Sequence, residues 1–277
     1  MGDESHFAGG GSGRLWSHQA RWDDLIVPVP STDASGLDLS EGWPDRWLVA
    51  RRAGGETVSS PVRDLARARR GGRAVRWFTW RRGQRHRPGL QFMVSTGRLH
   101  GFESLEEARV LLALDFAGDL VDVLSQPLRL RFGTAAGDRH HTPDFMAVTR
   151  SGTWLIDVRP ELLIGESDRQ SFAAAGELTV ACGWRYAVAA RWREHVPSAL
   201  DALSSQRRPL PDPLGLRPGL LAAAARPGAR FGEVAAASGC EPLARAQLLH
   251  LLWGRRLGTD LGQPLADRSP LVPGAAT

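Results

Sequence analysis

Three pieces of one stretch decide the reading of this chain: Ser104-Leu105-Glu106-Glu107, His140-His141-Thr142-Pro143-Asp144-Phe145 and Trp154-Leu155-Ile156-Asp157-Val158-Arg159-Pro160. The first is an acidic helix start, and the spacing predicts a helix over 104–114. Leu128-Arg129-Leu130-Arg131-Phe132 alternates with period two, which predicts a strand with one wet face. A turn over 133–138 then leads to a second strand over 141–148, entered through Thr142-Pro143, because proline is tolerated at a strand start. Arg150-Ser151-Gly152 turns the chain into a third strand over 153–159. Side chains alternate along a strand, so Asp157 and Arg159 share one face while Trp154, Ile156 and Val158 take the other. Asp144, near the start of the adjacent strand, can meet the acidic face.

In this arrangement Glu107, Asp144 and Asp157 converge with the cation of Arg159 at one end of a small sheet. Three carboxylates facing one point repel unless a divalent cation sits among them, and their oxygens suit a hard ion such as Mg2+ or Mn2+. A metal held by carboxylates beside a cation is a standard means of hydrolysing a phosphodiester. Glu107 also has a purely local explanation, since Ser104-x-x-Glu107 is a capping box in which the two residues satisfy each other's backbone donors. Helical phase argues the other way. Glu107 falls on the apolar side with Val110, Leu111 and Leu114, whereas Glu106 can pair outward with Arg109.

Working outward, 169–182 reads as a helix stopped by Gly183, 185–190 as a strand and 194–203 as a closing helix. The order α-β-β-β-α-β makes this an α/β fold. Helical patterns at 220–225, 231–237 and 243–254, with a small hairpin over 259–265, suggest a winged helix-turn-helix. Its third helix is apolar from Ala244 to Trp253 and suits protein docking or a core better than groove reading. Residues 1–20 are rich in Gly, Ser and His and are expected to be disordered. Short apolar pieces (Leu25-Ile26-Val27, Trp47-Leu48-Val49) suggest weak strands and loops up to residue 60. The expected organisation is an irregular region over 1–60, the α/β domain over 61–204, a linker over 205–219 and a winged-helix-like domain over 220–277.

Charge narrows the partners. All 35 basic residues are arginine, so any site that would normally use lysine must use arginine or do without. Residues 63–87 hold ten arginines against the single acid Asp64, so this segment carries +9 and the rest of the chain 5 − 9 = −4. Guanidinium groups neutralise phosphates, and the interleaved Trp77, Phe78 and Trp80 can stack on bases or pack beneath the basic face. Arg69, Arg70, Arg73, Arg76, Arg81, Arg82 and Arg85 are therefore the expected contacts to double-stranded DNA. A solvated basic face over core tryptophans is the bland alternative. Within the segment 69–73 reads as a loop and 75–80 as a strand. There is no apolar run long enough for a membrane span, and the start lacks the pattern of an export signal. With Cys182 and Cys240 far apart and in no zinc spacing, a reducing cytoplasm is expected.

Pro143-Asp144, twelve residues, then Asp157-Val158-Arg159 resembles the PD-(D/E)xK motif of restriction-endonuclease-like nucleases. The surrounding Glu107, Leu114-Asp115-Phe116, Gln126-Pro127 and Thr142-Pro143-Asp144-Phe145 make the chain similar to the TnsA family, the endonuclease subunits of heteromeric transposases. The resemblance covers about residues 75–200 and extends to the winged-helix C-terminal region that the family carries. It implies a restriction-endonuclease-like core that cuts the 5′ ends of a transposon. The implied partners are a TnsB-type transposase that cuts and joins the 3′ ends and a TnsC-type AAA+ ATPase. By position, Glu107 and Asp144 would be metal ligands, Asp157 would fill the second-acid position of the metal site, and the Val158 carbonyl would complete the shell. Arg159 replaces the family's lysine; always protonated, it can orient a phosphate oxygen or water but cannot act as a base. Gln126 and His141 would support the site, while His140 and His141 are otherwise strand-edge residues. A catalytically degenerate DNA-binding and assembly subunit, or a standalone restriction or repair nuclease, are the alternative readings.

Overall fold

A computed structural model describes residues 13–29, 34–65, 74–75 and 87–274. Their contacts divide the chain into two compact units, one formed by 21–193 and the other by 1–20 together with 194–277. Among the described residues no helix is long and apolar enough to cross a membrane.

The larger unit is mixed α/β. It runs through α1 (Trp43–Arg46), β1 (Leu48–Ala53), β2 (Glu56–Pro61), α2 (Val62–Leu65), β3 (Gly89–Met93) and β4 (Arg98–Phe102). Then come α3 (Leu105–Phe116), β5 (Leu120–Ser125), β6 (Arg129–Thr134), β7 (Gly137–His141), β8 (Phe145–Thr149), β9 (Gly152–Val158), α4 (Glu166–Cys182) and β10 (Arg185–Ala189). The central sheet has the order β10-β9-β8-β5. Strand β8 is antiparallel to both β5 and β9. Strand β10 runs parallel to β9, and α4 makes the crossover that a parallel pair requires. The central sheet and its helices thus occur as α3, β5, β8, β9, α4, β10.

Strand β9 decides the layering. Its residues from Thr153 to Asp157 are all buried, as expected of a strand covered on both faces. Period two sends Trp154 and Ile156 into a core with Val110, Leu111 and Leu114 of α3. It sends Leu155 into a second core with Ala173, Ala174 and Leu178 of α4 and Leu130 and Phe132 of β6. Helix α3 is buried from Val110 to Phe116, so it is a core helix rather than one with a single apolar stripe. Gly118, at φ 75°, takes the left-handed position that ends it, and Gly183, at φ 66°, does the same for α4.

Two strands differ from the sequence expectation. The strand expected over 128–132 is β6 (Arg129–Thr134), but it belongs to a second sheet of order β2-β1-β6-β7, where Leu48 pairs with Arg131 and Val49 with Leu130. The first strand of the central sheet is instead Leu120–Ser125, which precedes the expected one in the chain. Period two identifies a strand but does not name its partner. The expected strand over 141–148 is also cut in two: β7 ends at His141 and β8 begins at Phe145. Pro143 has no N–H to give to a ladder, and here the chain passes from one sheet to the other. Asp144 consequently lies in the break rather than inside a strand.

In the second unit, α5 (Val196–Ser204), α6 (Leu216–Ala224) and α7 (Phe231–Ala236) pack against α8 (Glu241–Trp253). Two short antiparallel strands, β11 (Leu257–Gly258) and β12 (Val272–Pro273), lie outside the expected hairpin over 259–265. Residues 205–219 are tied down rather than forming a free linker. The Gln247 amide donates to the Pro211 carbonyl at 2.7 Å, and His250 Nδ1 lies 2.8 Å from the Gln206 carbonyl. Residues 13–20, expected to be disordered, also belong to this unit: Ser17 N–H donates to the Thr259 carbonyl and Leu261 N–H to that of Leu15, each at 2.8 Å. Residues 1–12 lie outside the described residues. Both cysteines are free and partly buried, and burial pushes the Cys182 thiol up to about 11.

Candidate active site

Asp144 is presented by the Thr142-Pro143 break and held from two sides. Its backbone carbonyl accepts the Gln126 N–H at 2.7 Å, and its Oδ2 accepts the Val158 N–H at 2.7 Å. Gln126, fully buried, adopts a left-handed φ of 48°, unusual for a residue with a side chain. That conformation lets one peptide segment serve two partners, since the Gln126 carbonyl also accepts the Val75 N–H at 2.9 Å. Strain held by surrounding structure is a feature of functional sites.

Glu107 combines both roles considered for it. Its N–H donates to Ser104 Oγ at 3.2 Å, while its carboxylate accepts the Ser104 hydroxyl at 3.1 Å and the Glu103 N–H at 2.8 Å. It caps the helix and is nonetheless buried, with a charge that Asp144 feels. Glu106 pairs outward with Arg109 and also accepts the Trp192 indole N–H at 3.1 Å.

Asp144 sits in a field that favours its protonated form. Burial raises its pKa well above the ordinary carboxylate value, and the charges of Asp157 and then Glu107 push the same way. The Val158 N–H opposes them, and Glu103 adds a further acidic contribution. Three acids therefore bear on one half-buried carboxyl.

Asp157 is differently placed. Both of its oxygens lie 3.0 Å from His141 Nε2, and Oδ2 also accepts the Tyr186 hydroxyl at 2.6 Å. Burial disfavours the His141 imidazolium, but the Asp157 carboxylate outweighs this and raises the histidine's pKa. Burial and then the Asp157 charge raise the Tyr186 phenol well above its usual value, so it keeps its proton. Phe172 of α4 meets the His141 ring edge-on, with centroids 6.3 Å apart.

Arg159 lies one residue past the end of β9, with its side chain 45% exposed. Its Nε donates to the Leu163 carbonyl at 3.2 Å and lies 3.5 Å from Asp168 Oδ2. Asp168 and Leu163 lie on the α4 side of the site, and no ion pair joins Arg159 to Asp144 or Glu107 among the described residues. Val158 enters through its N–H, and its side chain packs on the α3-side core. The structure thus brings together Glu107, Asp144, Asp157, Val158, Gln126 and His141, and leaves Arg159 at the rim. Arg69, Arg70, Arg73, Arg76, Arg81, Arg82 and Arg85, with the expected strand beyond Val75, lie outside the described residues.

Sequence reasoning missed Tyr186, Glu103 and Asp168. Tyr186 is the only tyrosine in the chain and stands in the strand parallel to β9, beside Leu155. That singularity is the one signal that could have drawn attention to it.

Among the described residues no group of three or more His, Cys, Asp or Glu side chains is arranged to hold a metal ion. Glu107 and Asp144 still fit a hard cation. Both are carboxylates, the ligand type a hard cation takes, and a cation would relieve the repulsion that raises Asp144. Asp157, only 2% exposed and already engaged by His141 and Tyr186, fits less well. No protein-family model matches this chain, and a search of curated proteins finds no significant match.

Proposed function

We propose that this chain is a metal-dependent DNA endonuclease with a restriction-endonuclease-like core, of the TnsA-like type, working as a subunit of a heteromeric transposase. The observation that carries the proposal is the setting of Asp144. It follows a proline at the break before β8, bonds to the β9 backbone at Val158 and is pressed by Glu107 from the preceding helix. That is the relation of parts which the PD-(D/E)xK resemblance calls for.

In this reading Glu107 and Asp144 hold Mg2+, with Mn2+ as a substitute, and the Val158 carbonyl is the implied third ligand. The bound ion supplies charge neutralisation at the phosphate and lowers the pKa of the attacking water. Asp144 is kept in register by Val158 and Gln126, so its geometry does not depend on a flexible loop. Arg159, half-exposed at the rim, would offset charge on the scissile phosphate; it cannot take a proton. The Arg-rich segment 63–87 is assigned to the backbone of double-stranded transposon ends. A TnsB-type transposase and a TnsC-type ATPase are the assigned protein partners, and the cytoplasm the assigned compartment.

The smaller unit is read as winged-helix-like. Helix α8 is surrounded by α5, α6 and α7, and Arg245 on it is paired with Glu241 and Asp267. This favours core and protein-docking duty for α8 over groove reading. One observation favours a second reading, a degenerate assembly subunit: the Arg159 guanidinium is engaged by Asp168 and the Leu163 carbonyl.

The test is strand cleavage of duplex transposon ends by the reconstituted complex with Mg2+. Cleavage at the 5′ ends that disappears in Glu107→Ala and Asp144→Ala, with folding retained, is expected. Salt-sensitive DNA binding without cleavage, indifferent to metal and to both acids, would establish the assembly reading instead.

A further inference from the structure

We infer that Asp157 is a positioning residue, locked by His141 and Tyr186 to hold the turn that presents Asp144, and not a metal ligand. The inference rests on the nuclease reading for its functional meaning, but its geometry stands alone. A carboxylate has about four acceptor sites. Two donors already engage Asp157: His141 Nε2, shared between both oxygens at 3.0 Å, and the Tyr186 hydroxyl at 2.6 Å. The side chain is 2% exposed and stands on the α4 side of β9, the face that also carries Leu155.

The consequence lies in sequence spacing. Asp157 and Val158 are consecutive on β9, while His141 and Asp144 bracket the Thr142-Pro143 break. The Asp157 side chain holds His141 at one end of that turn. The Val158 N–H holds the Asp144 carboxylate at the other, at 2.7 Å. Two adjacent residues thus staple both ends of the four-residue segment that aims Asp144. Tyr186 on β10 completes the lock by fixing the Asp157 carboxylate from the next strand. His141, placed at the strand edge from sequence, is a member of this lock, and Tyr186 has no other assigned duty.

The single tyrosine gives a direct readout, because [13Cζ]tyrosine labelling yields one NMR signal from the full chain. Calorimetric Mg2+ titration and this signal are to be followed in wild type, Asp144→Asn, Asp157→Asn and Tyr186→Phe. The expected result is that Asp144→Asn removes Mg2+ binding whereas Asp157→Asn weakens it by about ten- to a hundredfold, the scale for a group behind a ligand. Tyr186→Phe should weaken it mildly, and the wild-type tyrosine signal should stay put on adding Mg2+ yet move in Asp157→Asn. Loss of binding in Asp157→Asn equal to that in Asp144→Asn would overturn the inference. So would a tyrosine signal that Mg2+ carries to its Asp157→Asn position. If Asp157→Asn does not fold, Tyr186→Phe decides alone: a ligand released from tyrosine would bind Mg2+ more tightly, which is the contrary result. If wild type takes up no Mg2+, the nuclease reading fails separately. The lock is then judged by the Val158 amide signal, which must move in Tyr186→Phe; an unmoved signal overturns it.

Discussion

Two carboxylates, Asp144 in the larger unit and Asp267 in the smaller, occupy opposite electrostatic settings. Asp267 is exposed and bonded to Arg245, and that hydrogen bond, first among its causes, lowers its pKa. Asp144 is hemmed in by protein and by three further acids, and its pKa is raised. The smaller unit pairs its charge in the ordinary manner of a scaffold. The larger unit concentrates like charge at one point, which costs stability and is retained where chemistry needs it. The contrast singles out Asp144 as the candidate site without reference to any relative.

The largest effect expected from breaking this contrast is on activity. Asp144→Ala should reduce metal-dependent cleavage by the assembled complex on the order of a hundredfold or more, measured by single-turnover cleavage of end duplexes. Asp267→Ala in the same assay should leave the rate unchanged.

Next in size is the packing beneath the site. Phe145, fully buried directly after Asp144, anchors the start of β8 in the α3-side core. Phe145→Ala should destabilise the larger unit by about 3–5 kcal/mol, read by chemical denaturation.

A smaller effect carries the sign of the comparison. Because the native Asp144 pKa is raised, ionising this carboxyl disfavours the folded state. The disadvantage is absent below the unfolded value of 3.8 and grows as pH rises through the native value. Asp144→Asn should therefore raise Tm by a few degrees at neutral pH, with the gain vanishing in acid, as scanning calorimetry would show. Smallest of all is the same change at Asp267. Its lowered pKa contributes stability above 3.8 that is lost as pH falls through the native value. Asp267→Asn should produce a barely measurable fall in Tm at neutral pH and none in acid.

The elements that carry this contrast were legible in the sequence to different degrees. The helix of Glu107, the strand of Asp157 and the crossover helix ending at Gly183 are local signals, set by capping, period two and a left-handed glycine. Partnership between strands is not local. Leu128–Phe132 reads as a strand, but its pairing with β1 rather than with β8 depends on residues some 80 positions upstream. Leu120–Ser125 is hard to see because it is an edge strand, with Val121 exposed and Asp122 paired to Arg98. At the site, the acids were legible because carboxylates near a proline break are chemically conspicuous. The lock on Asp157 was not, since it needs the register of β9 against β10 and the approach of β7. The turn of Arg159 toward Asp168 likewise follows from the chain's path after β9, which no alternation pattern encodes.

In the proposed function Asp144 organises a divalent-metal site. Calorimetric titration of Mn2+ into the intact chain with duplex DNA present, in wild type and Asp144→Ala, tests it most directly. Saturable binding by wild type is expected, abolished in Asp144→Ala while the fold, followed by circular dichroism, is kept. Equal binding by both proteins, or none by wild type, would contradict it.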